Sequence, residues 1–414
     1  MWKSEDDVFE KFAKQLQEFT VSGEIPKAGD QDMQYYLELQ QERLKKRNIK
    51  MRYDIEQRKD FNGKLPNNWK WSDEIYTNKM ECHSCFLTKA FSRDEKKLYK
   101  KKQKKNFYEF ITYAGKSTGM GEELYCCPNC GAVSRIRELE EGCPYCGTHF
   151  QMDDLFPKVT NYYFVPDQSM TAEENKKQCI KCMLPCILVL ILIFLIGNLL
   201  EGNSILASLL MSVFAGGILG GVLGYLIIIG MTFSFIFSQA KDTSGMLVQS
   251  IGSKGRFVHK MKQFSPAFSY EYFTGKVISL LQMLLFSEHV EELPYYTGNA
   301  TGELCPDVVD STYAGAIALK KFRVEGAYAE LDVYAYVENM YDKGRFVKRK
   351  MDRYKMHLRK NISVPIDYHF SIKKIQCKNC AKSYDATKYK TCPSCGTGYE
   401  IGDDDWIVTS IEKK

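Results

Sequence analysis

The chain has 414 residues, of which 44% are hydrophobic and 26% are charged, and its formal net charge is +6. This composition excludes a disordered or collagen-like chain, and the length predicts two or three folded units. One segment departs from these averages, because Glu201 is the only charged residue between Lys181 and Lys241. We therefore predict a multi-domain membrane protein with charged soluble regions before and after an apolar segment.

Residues 1–115 are charged and rich in helix-forming residues, which predicts a mostly helical soluble region. The stretch from Asp30 to Asp60 contains neither Pro nor Gly and has a loosely helical apolar period. The basic run Lys96–Lys105 is interpreted as a solvated helix face or a loop. The alternative is contact with anionic lipid headgroups, because each Lys near such a surface contributes about 1 kcal/mol.

Cysteine spacing predicts metal sites. No apolar signal region opens the chain, so its six CxxC pairs are typical of zinc ligands rather than of disulfides. Two pairs in residues 120–155 and two in residues 376–414 each predict a zinc ribbon, in which four thiolates close a structural site around Zn²⁺. The predicted metal ligands are Cys127, Cys130, Cys143, Cys146, Cys377, Cys380, Cys392 and Cys395. Eight thiolates and two Zn²⁺ ions would lower the formal charge from +6 to +2, so the global charge gives no support to nucleic-acid binding.

The local sequence around these pairs predicts tight knuckles. In the first tetrad each pair has the form Cys-Pro-x-Cys-Gly, and Gly131 and Gly147 are expected to adopt positive φ so that backbone N–H groups approach the thiolates. Ala381 takes the place of such a glycine in the second tetrad. The two remaining pairs leave alternatives open: a third tetrathiolate site, an exchange of ligands with the first tetrad, or reduced thiols without metal. These pairs are Cys82/Cys85 and Cys179/Cys182.

Residues 183–238 predict a transmembrane hairpin. Met183–Leu200 gives 18 uncharged residues and Ile205–Phe237 gives 33, with a short polar break between them. A helix as long as the second segment would measure roughly 50 Å against a hydrocarbon core of about 30 Å, so it must tilt, kink or extend past the membrane. A break is expected near the glycine cluster at 216–224.

Small residues at four-residue spacing, Gly216, Gly220 and Gly224, let helices pack backbone to backbone, either within the hairpin or between two copies of the chain. Lysines flank the hairpin at both ends, so the positive-inside rule predicts a multi-pass cell-membrane protein with both termini cytoplasmic. That side of the membrane agrees with reduced, metal-binding cysteines. Neither span contains an ionisable residue, which gives no candidate for an ion or proton relay.

Residues 262–375 predict an α+β domain, in which helices lie on an antiparallel sheet. An apolar helical stripe begins after Ser269, the expected N-cap, and Asp342–Gly344 is an expected hairpin turn. The alternation of apolar and polar residues predicts four strands of a meander. These are Tyr313–Phe322, Ala327–Met340, Arg345–Leu358 and a last strand around Tyr368–Ile372.

Two segments of this domain, FSPAFSYEYFTGKVISLLQMLLFSEHVEELPYY (264–296) and FRVEGAYAELDVYAYVENMYDKGRFVKRKMDRYKMHL (322–358), resemble the Tim-forty-four-like domain family. Bacterial proteins that join zinc ribbons, a membrane hairpin and this domain look similar along most of the chain. The resemblance implies a nuclear-transport-factor-two-like cone, a curved sheet around helices with an apolar pocket. Mitochondrial members are membrane-associated scaffolds that contact acidic lipid and chaperones. The chain's own spans and zinc sites separate it from them, so the resemblance implies a membrane-proximal docking domain and not an import motor.

These features predict a membrane-anchored, cytoplasm-facing scaffold or docking protein that contacts membrane lipid and a protein partner. The alternative is a membrane-tethered zinc-ribbon protein that binds nucleic acid, for which the basic segment Arg345–Lys360 is the candidate surface. Nucleic acid is not the expected partner, because few aromatic residues lie in that segment. We expect no enzyme, since the sequence offers no Ser/His/Asp order, no phosphate-binding glycine loop and no open metal site.

Overall fold

The computed structural model describes residues 7–58, 69–72, 76–114, 122–127, 129–139, 141–148, 150–151, 157–167, 172–202, 204–266, 268–363, 371–372, 374–377, 379–380, 382–386, 388–399 and 405–414. The chain divides into two compact units. The first, which we call the sheet unit, comprises residues 1–59, 64–167 and 248–414, and the second, the hairpin unit, contains residues 168–247.

The elements that precede the hairpin are α1 (Asp7–Ser22), α2 (Gln31–Lys46), β1 (Lys50–Gln57), β2 (Trp69–Ser72), β3 (Tyr76–Arg93), β4 (Lys96–Ala114), β5 (Leu124–Cys126), β6 (Val133–Arg135), β7 (Phe150–Gln151) and β8 (Lys158–Pro166). The helices α3 (Ala172–Leu200) and α4 (Ile205–Phe264) follow. The remaining elements are α5 (Tyr270–Phe286), β9 (Val308–Glu325), β10 (Tyr328–Asp342), β11 (Val347–Asn361), β12 (Ser371–Ile372), β13 (Lys374–Gln376), β14 (Ser383–Asp385) and β15 (Ile407–Lys413).

The prediction of a mostly helical region at 1–115 is wrong, because strands β1 to β4 follow α2. The carboxylate of Asp30 caps α2 by accepting a 2.7 Å hydrogen bond from the Met33 N–H. The helix stops at Lys46, and Asn48 adopts φ +52°, a left-handed conformation typical of helix C-termini. The chain then enters β1, so the absence of Pro and Gly from residues 30–60 did not keep this segment helical.

The basic run Lys96–Lys105 lies in β4 and is neither a helix face nor a loop. Asp94 and Glu95 have φ values of +47° and +64°, and they form the two-residue turn that joins β3 to β4. From Lys105 to Tyr113, every second residue of β4 is buried, as expected for a strand with one face against the core. The lysines obscured this alternation at the start of the strand, because both of its faces carry charge there.

A large mixed sheet organises the sheet unit. Its described strands have the order β1-β3-β4-β8-β9-β10-β11-β15, and β2 pairs with β3. Neighbours along this order are antiparallel except β8 and β9, which pair in parallel where Tyr163 lies opposite Tyr313. The strands before and after the hairpin therefore belong to one sheet.

The two halves of the sheet unit share one order of elements. In each half a helix, α2 or α5, precedes four neighbouring strands, and a cysteine-rich segment separates the third strand from the fourth. We call these segments the first cysteine module (residues 124–151) and the second cysteine module (residues 374–399). Strand β7, at the end of the first module, and β12, just before the second module, form a two-stranded antiparallel sheet. The repeated cysteines were predictable from the sequence, whereas the repeat of the whole half was not predicted.

The second half confirms part of the α+β prediction. Ser269 is the N-cap of α5, where its hydroxyl accepts from the Tyr272 N–H at 3.3 Å, and β9 to β11 form the first three strands of the meander. The predicted fourth strand is wrong, because Ser371–Ile372 pairs with β7; residues 368–370 lie outside the described part of the chain. The fourth strand is β15, so residues 376–414 contain most of the second cysteine module together with a strand of the large sheet.

A buried lysine joins the two halves. Lys276 of α5 is 3% exposed, and its Nζ lies 2.7 Å from Asp32 at the start of α2 and 2.5 Å from Asp405 just before β15. Burial alone would lower the pKa of Lys276, but the two carboxylates raise it well above its usual value. The lysine therefore stays charged and holds three separate segments together.

In the hairpin unit, Cys179–Leu200 and Ile205–Gly230 are long and apolar enough to cross a membrane. The expected break near the glycine cluster is absent from the described residues, because α4 runs without interruption from Ile205 to Phe264. The three spaced glycines of α4 pack against α3: a Cβ on each would lie 2.5–2.7 Å from a Cα atom of that helix. The pairs are Gly216 with Ile191, Gly220 with Ile187 and Gly224 with Met183. These contacts occupy the surface that a homo-oligomer through the same glycines would use.

Candidate metal centres

The first tetrad brings together the four cysteines predicted from 120–155. The Sγ atoms of Cys127 and Cys146 lie 3.7 Å apart, and those of Cys130 and Cys143 also lie 3.7 Å apart. All four sulfurs lie within 4.8 Å of one another. Tetrahedral zinc with Zn–S bonds of about 2.3 Å requires sulfurs about 3.8 Å apart, whereas a disulfide requires about 2 Å. The spacing therefore fits a tetrathiolate metal site.

The second tetrad repeats this geometry. The Sγ atoms of Cys377 and Cys395 lie 3.5 Å apart, and those of Cys380 and Cys392 lie 3.6 Å apart. Four protein sulfurs fill every position of a tetrahedral site and leave none for water or substrate. Both tetrads can therefore hold a structural ion such as Zn²⁺, which would supply folding energy rather than chemistry.

The backbone of the first cysteine module forms the predicted knuckles. The Cys127 N–H donates to the Ala132 carbonyl at 2.8 Å, and the Gly131 N–H donates to the Cys127 carbonyl at 2.7 Å. Gly131 and Gly147 have φ values of +74° and +66°, as the sequence predicted. In the second module Ala381 lies outside the described residues, while Gly396 has φ +74°.

Two threonines hydrogen-bond to cysteines of the tetrads, and neither was predicted from the sequence. The hydroxyl of Thr148 lies 3.0 Å from the Cys146 sulfur, and that of Thr397 lies 3.2 Å from the Cys395 sulfur. Burial opposes ionisation of Cys146, but hydrogen bonds from the Thr148 hydroxyl and N–H lower its pKa to about 6. Hydrogen bonds from Thr397 likewise lower the pKa of Cys395 to about 6. The repeated Cys-Gly-Thr tripeptide was the available signal.

The two modules differ in how they contact the rest of the sheet unit. The second is held by Lys388, whose Nζ lies 2.5 Å from Glu38 of α2, and by Lys390, which donates to the Tyr296 carbonyl at 3.2 Å. The first exposes large apolar side chains that a small folded module usually buries. These are Leu124 (70% exposed), Val133 (56%) and Tyr145 (72%).

The remaining CxxC pairs do not resemble the tetrads. Cys82 and Cys85 lie on β3, where residues three apart point to opposite faces, so they cannot form a knuckle. Burial raises the pKa of Cys82 to about 11 and that of Cys85 to about 12, which disfavours the thiolates that bind metal. Cys179 and Cys182 lie on α3. Within the described part of the chain, the clusters that could hold a metal are the two tetrads.

Some basic residues of the segment Arg345–Lys360 pair with acids of the same sheet. Arg349 lies 2.6 Å from Glu338, and Lys355 lies 3.0 Å from Asp332. His357 also contacts Asp332 at 2.9 Å, but this pair lies on the face of β10 opposite the core residues Leu331 and Val333.

Comparison with protein-family models, with curated proteins and with solved structures finds no match to this chain. The resemblance to Tim-forty-four-like domains therefore stays a prediction.

Proposed function

We propose that the protein is a membrane-anchored docking protein whose sheet unit faces the cytoplasm and binds a protein partner. The observation that carries this proposal is the single sheet unit made from residues on both flanks of an apolar hairpin. A unit assembled from both flanks needs them on the same side of a membrane, which agrees with the lysines at both ends of the hairpin. Membrane lipid is then the first partner.

The metal sites support a docking role because they are closed. Zinc in each tetrad would stabilise a module too small to have a sizeable apolar core. The second module is fixed to α2 by Lys388 and serves the stability of the sheet unit. The four sulfurs of the first module also leave no open coordination position at a metal, but this module presents Leu124, Val133 and Tyr145 to solvent. Exposed apolar residues on a rigid module are typical of a protein-binding surface, so we assign partner binding to this module.

The alternative function, nucleic-acid binding, receives less support. Arg349 and Lys355 of the basic segment are paired with carboxylates, which reduces the positive charge available to phosphates. A Tim-forty-four-like docking domain would agree with the proposal, but the proposal does not depend on that resemblance.

Site-specific photocrosslinking of the full-length protein in its native membrane tests this function. A benzoylphenylalanine at Tyr145 should give a discrete protein adduct, whereas the same probe at Tyr389, which is 50% exposed in the second module, should not. An adduct removed by nuclease would favour the nucleic-acid alternative. If probes at Leu124, Val133 and Tyr145 all fail to give a discrete adduct, the assignment of docking to the first module is wrong.

A further inference from the structure

A cavity of about 320 Å³ lies in the sheet unit at the seam where β8 meets β9. Its walls come from both halves of the unit, including β4, β8, α5 and β9. A cavity of roughly 150 Å³ is known to hold benzene, so this one has room for a two-ring molecule. It is separate from both metal tetrads, whose cysteines do not line it.

The backbone at the seam is irregular beside the cavity. The described parts of β8 and β9 pair at one position, Tyr163 opposite Tyr313. On β9, the pairing with β10 is interrupted by a bulge around Gly315, whose φ is +83°. A Cβ at this glycine would lie 2.9 Å from the Tyr163 ring, so any larger residue would collide with that ring. The Tyr163 ring therefore packs directly over Gly315, and this glycine supplies no side chain to the cavity.

The walls are suited to a flat aromatic molecule. The ring of Tyr163 stacks beside Phe110, with ring centroids 6.0 Å apart, and meets Tyr313 edge-on at 5.3 Å. Tyr270 lies on the α5 side of the same cavity. Aromatic side chains prefer stacked or edge-to-face contact with other rings, so this lining favours a planar aromatic guest over a flexible chain.

Two largely buried polar side chains belong to the lining of the cavity. Asn161 is 5% exposed and Tyr313 is 6% exposed, so a guest in the cavity would lie beside an amide and a phenol hydroxyl. A guest that hydrogen-bonds to these groups would be held more tightly than one that contacts only the aromatic rings. An asparagine amide offers one acceptor and two donors, which match an edge that carries an N–H beside a carbonyl.

The charge at the cavity is balanced. Lys254 and Glu271 both line it, and the Lys254 Nζ lies 2.9 Å from the Glu271 carboxylate. No unpaired charge from the described lining is left to attract an ion, which favours a neutral guest.

We propose that this cavity binds a neutral, planar, two-ring aromatic molecule with an amide-like edge that hydrogen-bonds to Asn161 and to the Tyr313 hydroxyl. This inference does not depend on the proposed docking function, because neither the first cysteine module nor the hairpin unit lines the cavity.

The test uses 2-quinolinone as the probe and 1-methyl-2-quinolinone, which lacks the N–H donor, as the matched control. Full-length protein in nanodiscs should bind 2-quinolinone saturably at one site per chain, and N-methylation should weaken binding by about tenfold or more. Asn161→Leu and Tyr313→Phe should each weaken 2-quinolinone binding to a similar extent, while Tyr389→Phe on the second cysteine module should have no effect. Tyr313→Phe removes only a hydroxyl, so it remains informative if Asn161→Leu impairs folding.

Three outcomes would overturn the proposal. They are the absence of saturable binding to the unaltered protein, equal affinity for the two quinolinones, and unchanged affinity in a folded Tyr313→Phe variant. A partner crosslinked through Tyr145 would be compatible with any of them, so failure here is distinct from failure of the docking proposal.

Discussion

Arg43 should be one of the most important residues for the stability of the sheet unit, because it connects the two halves through backbone carbonyls. It lies on α2, is 2% exposed, and its Nη1 donates to the carbonyls of Leu285 and Cys305 at 2.6 and 2.8 Å. The same atom donates to Val308 at 3.2 Å, and Nη2 donates to Ser287 at 3.2 Å. One guanidinium thus satisfies carbonyls at the end of α5 and around the start of β9.

The expected cost of removing this side chain follows from those contacts. A hydrogen bond to a charged group is worth about 1.5–3 kcal/mol, and a buried carbonyl left without a donor costs about 1–3 kcal/mol. Desolvation offsets part of the gain, since burial lowers the pKa of Arg43 despite the nearby Glu303 carboxylate. Arg43→Met, which keeps the volume and removes every donor, should therefore lower the free energy of unfolding by about 3–5 kcal/mol. Arg43→Lys should recover only part of this loss, because an ammonium group cannot reproduce the planar fork.

Urea unfolding of the full-length protein in detergent, followed by tyrosine and tryptophan fluorescence, measures these changes. Arg52→Met is the control, because Arg52 has a side chain that is 66% exposed and pairs only with Asp54 among the ion pairs of the described residues. Its effect should stay within about 0.5 kcal/mol. A loss below about 1 kcal/mol for Arg43→Met, with an unchanged denaturant slope, would show that Arg43 does not connect the halves as described.

Two further predictions concern the metal sites and a buried acid. Cys143→Ser should lower the bound zinc from two ions per chain to one and reduce thermal stability, whereas Cys82→Ser should leave two; metal analysis giving fewer than two ions in the unaltered protein would contradict the assignment. Glu109 is fully buried and both of its carboxylate oxygens lack hydrogen-bond partners among the described residues, so desolvation, aided by Glu81, raises its pKa well above the usual value. The contribution of Glu109 to stability should therefore be greatest below about pH 4.5 and fall as the pH rises, and Glu109→Gln should remove this slope from thermal unfolding; an equally steep slope in the variant would exclude Glu109 as its source.

The features predictable from the sequence were those encoded within a few residues of each other. The tetrads follow from CxxC spacing and the knuckles from Gly131 and Gly147, because metal ligands close a site locally. The N-cap at Ser269 and the strand alternation that includes Leu331 and Val333 were predictable for the same reason, because each depends on neighbouring residues in the sequence. The helical prediction for residues 50–114 failed because the turn at Asp94 and Glu95 lacks the usual glycine and the lysines conceal the strand period.

The seam between the halves could not be predicted in this way. The pairing of Tyr163 with Tyr313 joins residues on opposite sides of the hairpin segment, and neither flanking sequence identifies the other as its partner. The cavity depends on that pairing and on the bulge at Gly315, which looks like an ordinary strand glycine in the sequence. Asn161 is a polar residue in a strand rich in aromatic residues, and only the folded chain shows that it lines the cavity.

The parallel pairing of β8 and β9 also limits how the apolar hairpin could cross a membrane. Parallel neighbours need a crossover connection, since the end of one strand lies far from the start of the next. In most domains a single helix makes this connection, but here the chain between the two strands contains α3, α4 and α5. If the apolar helices cross a bilayer, an odd number of crossings would put β8 and β9 on opposite sides, which their pairing forbids. The pairing therefore excludes an odd number of crossings and is compatible with the proposed two-crossing hairpin, and a reporter fusion that placed the two termini on opposite sides would contradict both the proposed topology and the pairing at Tyr163.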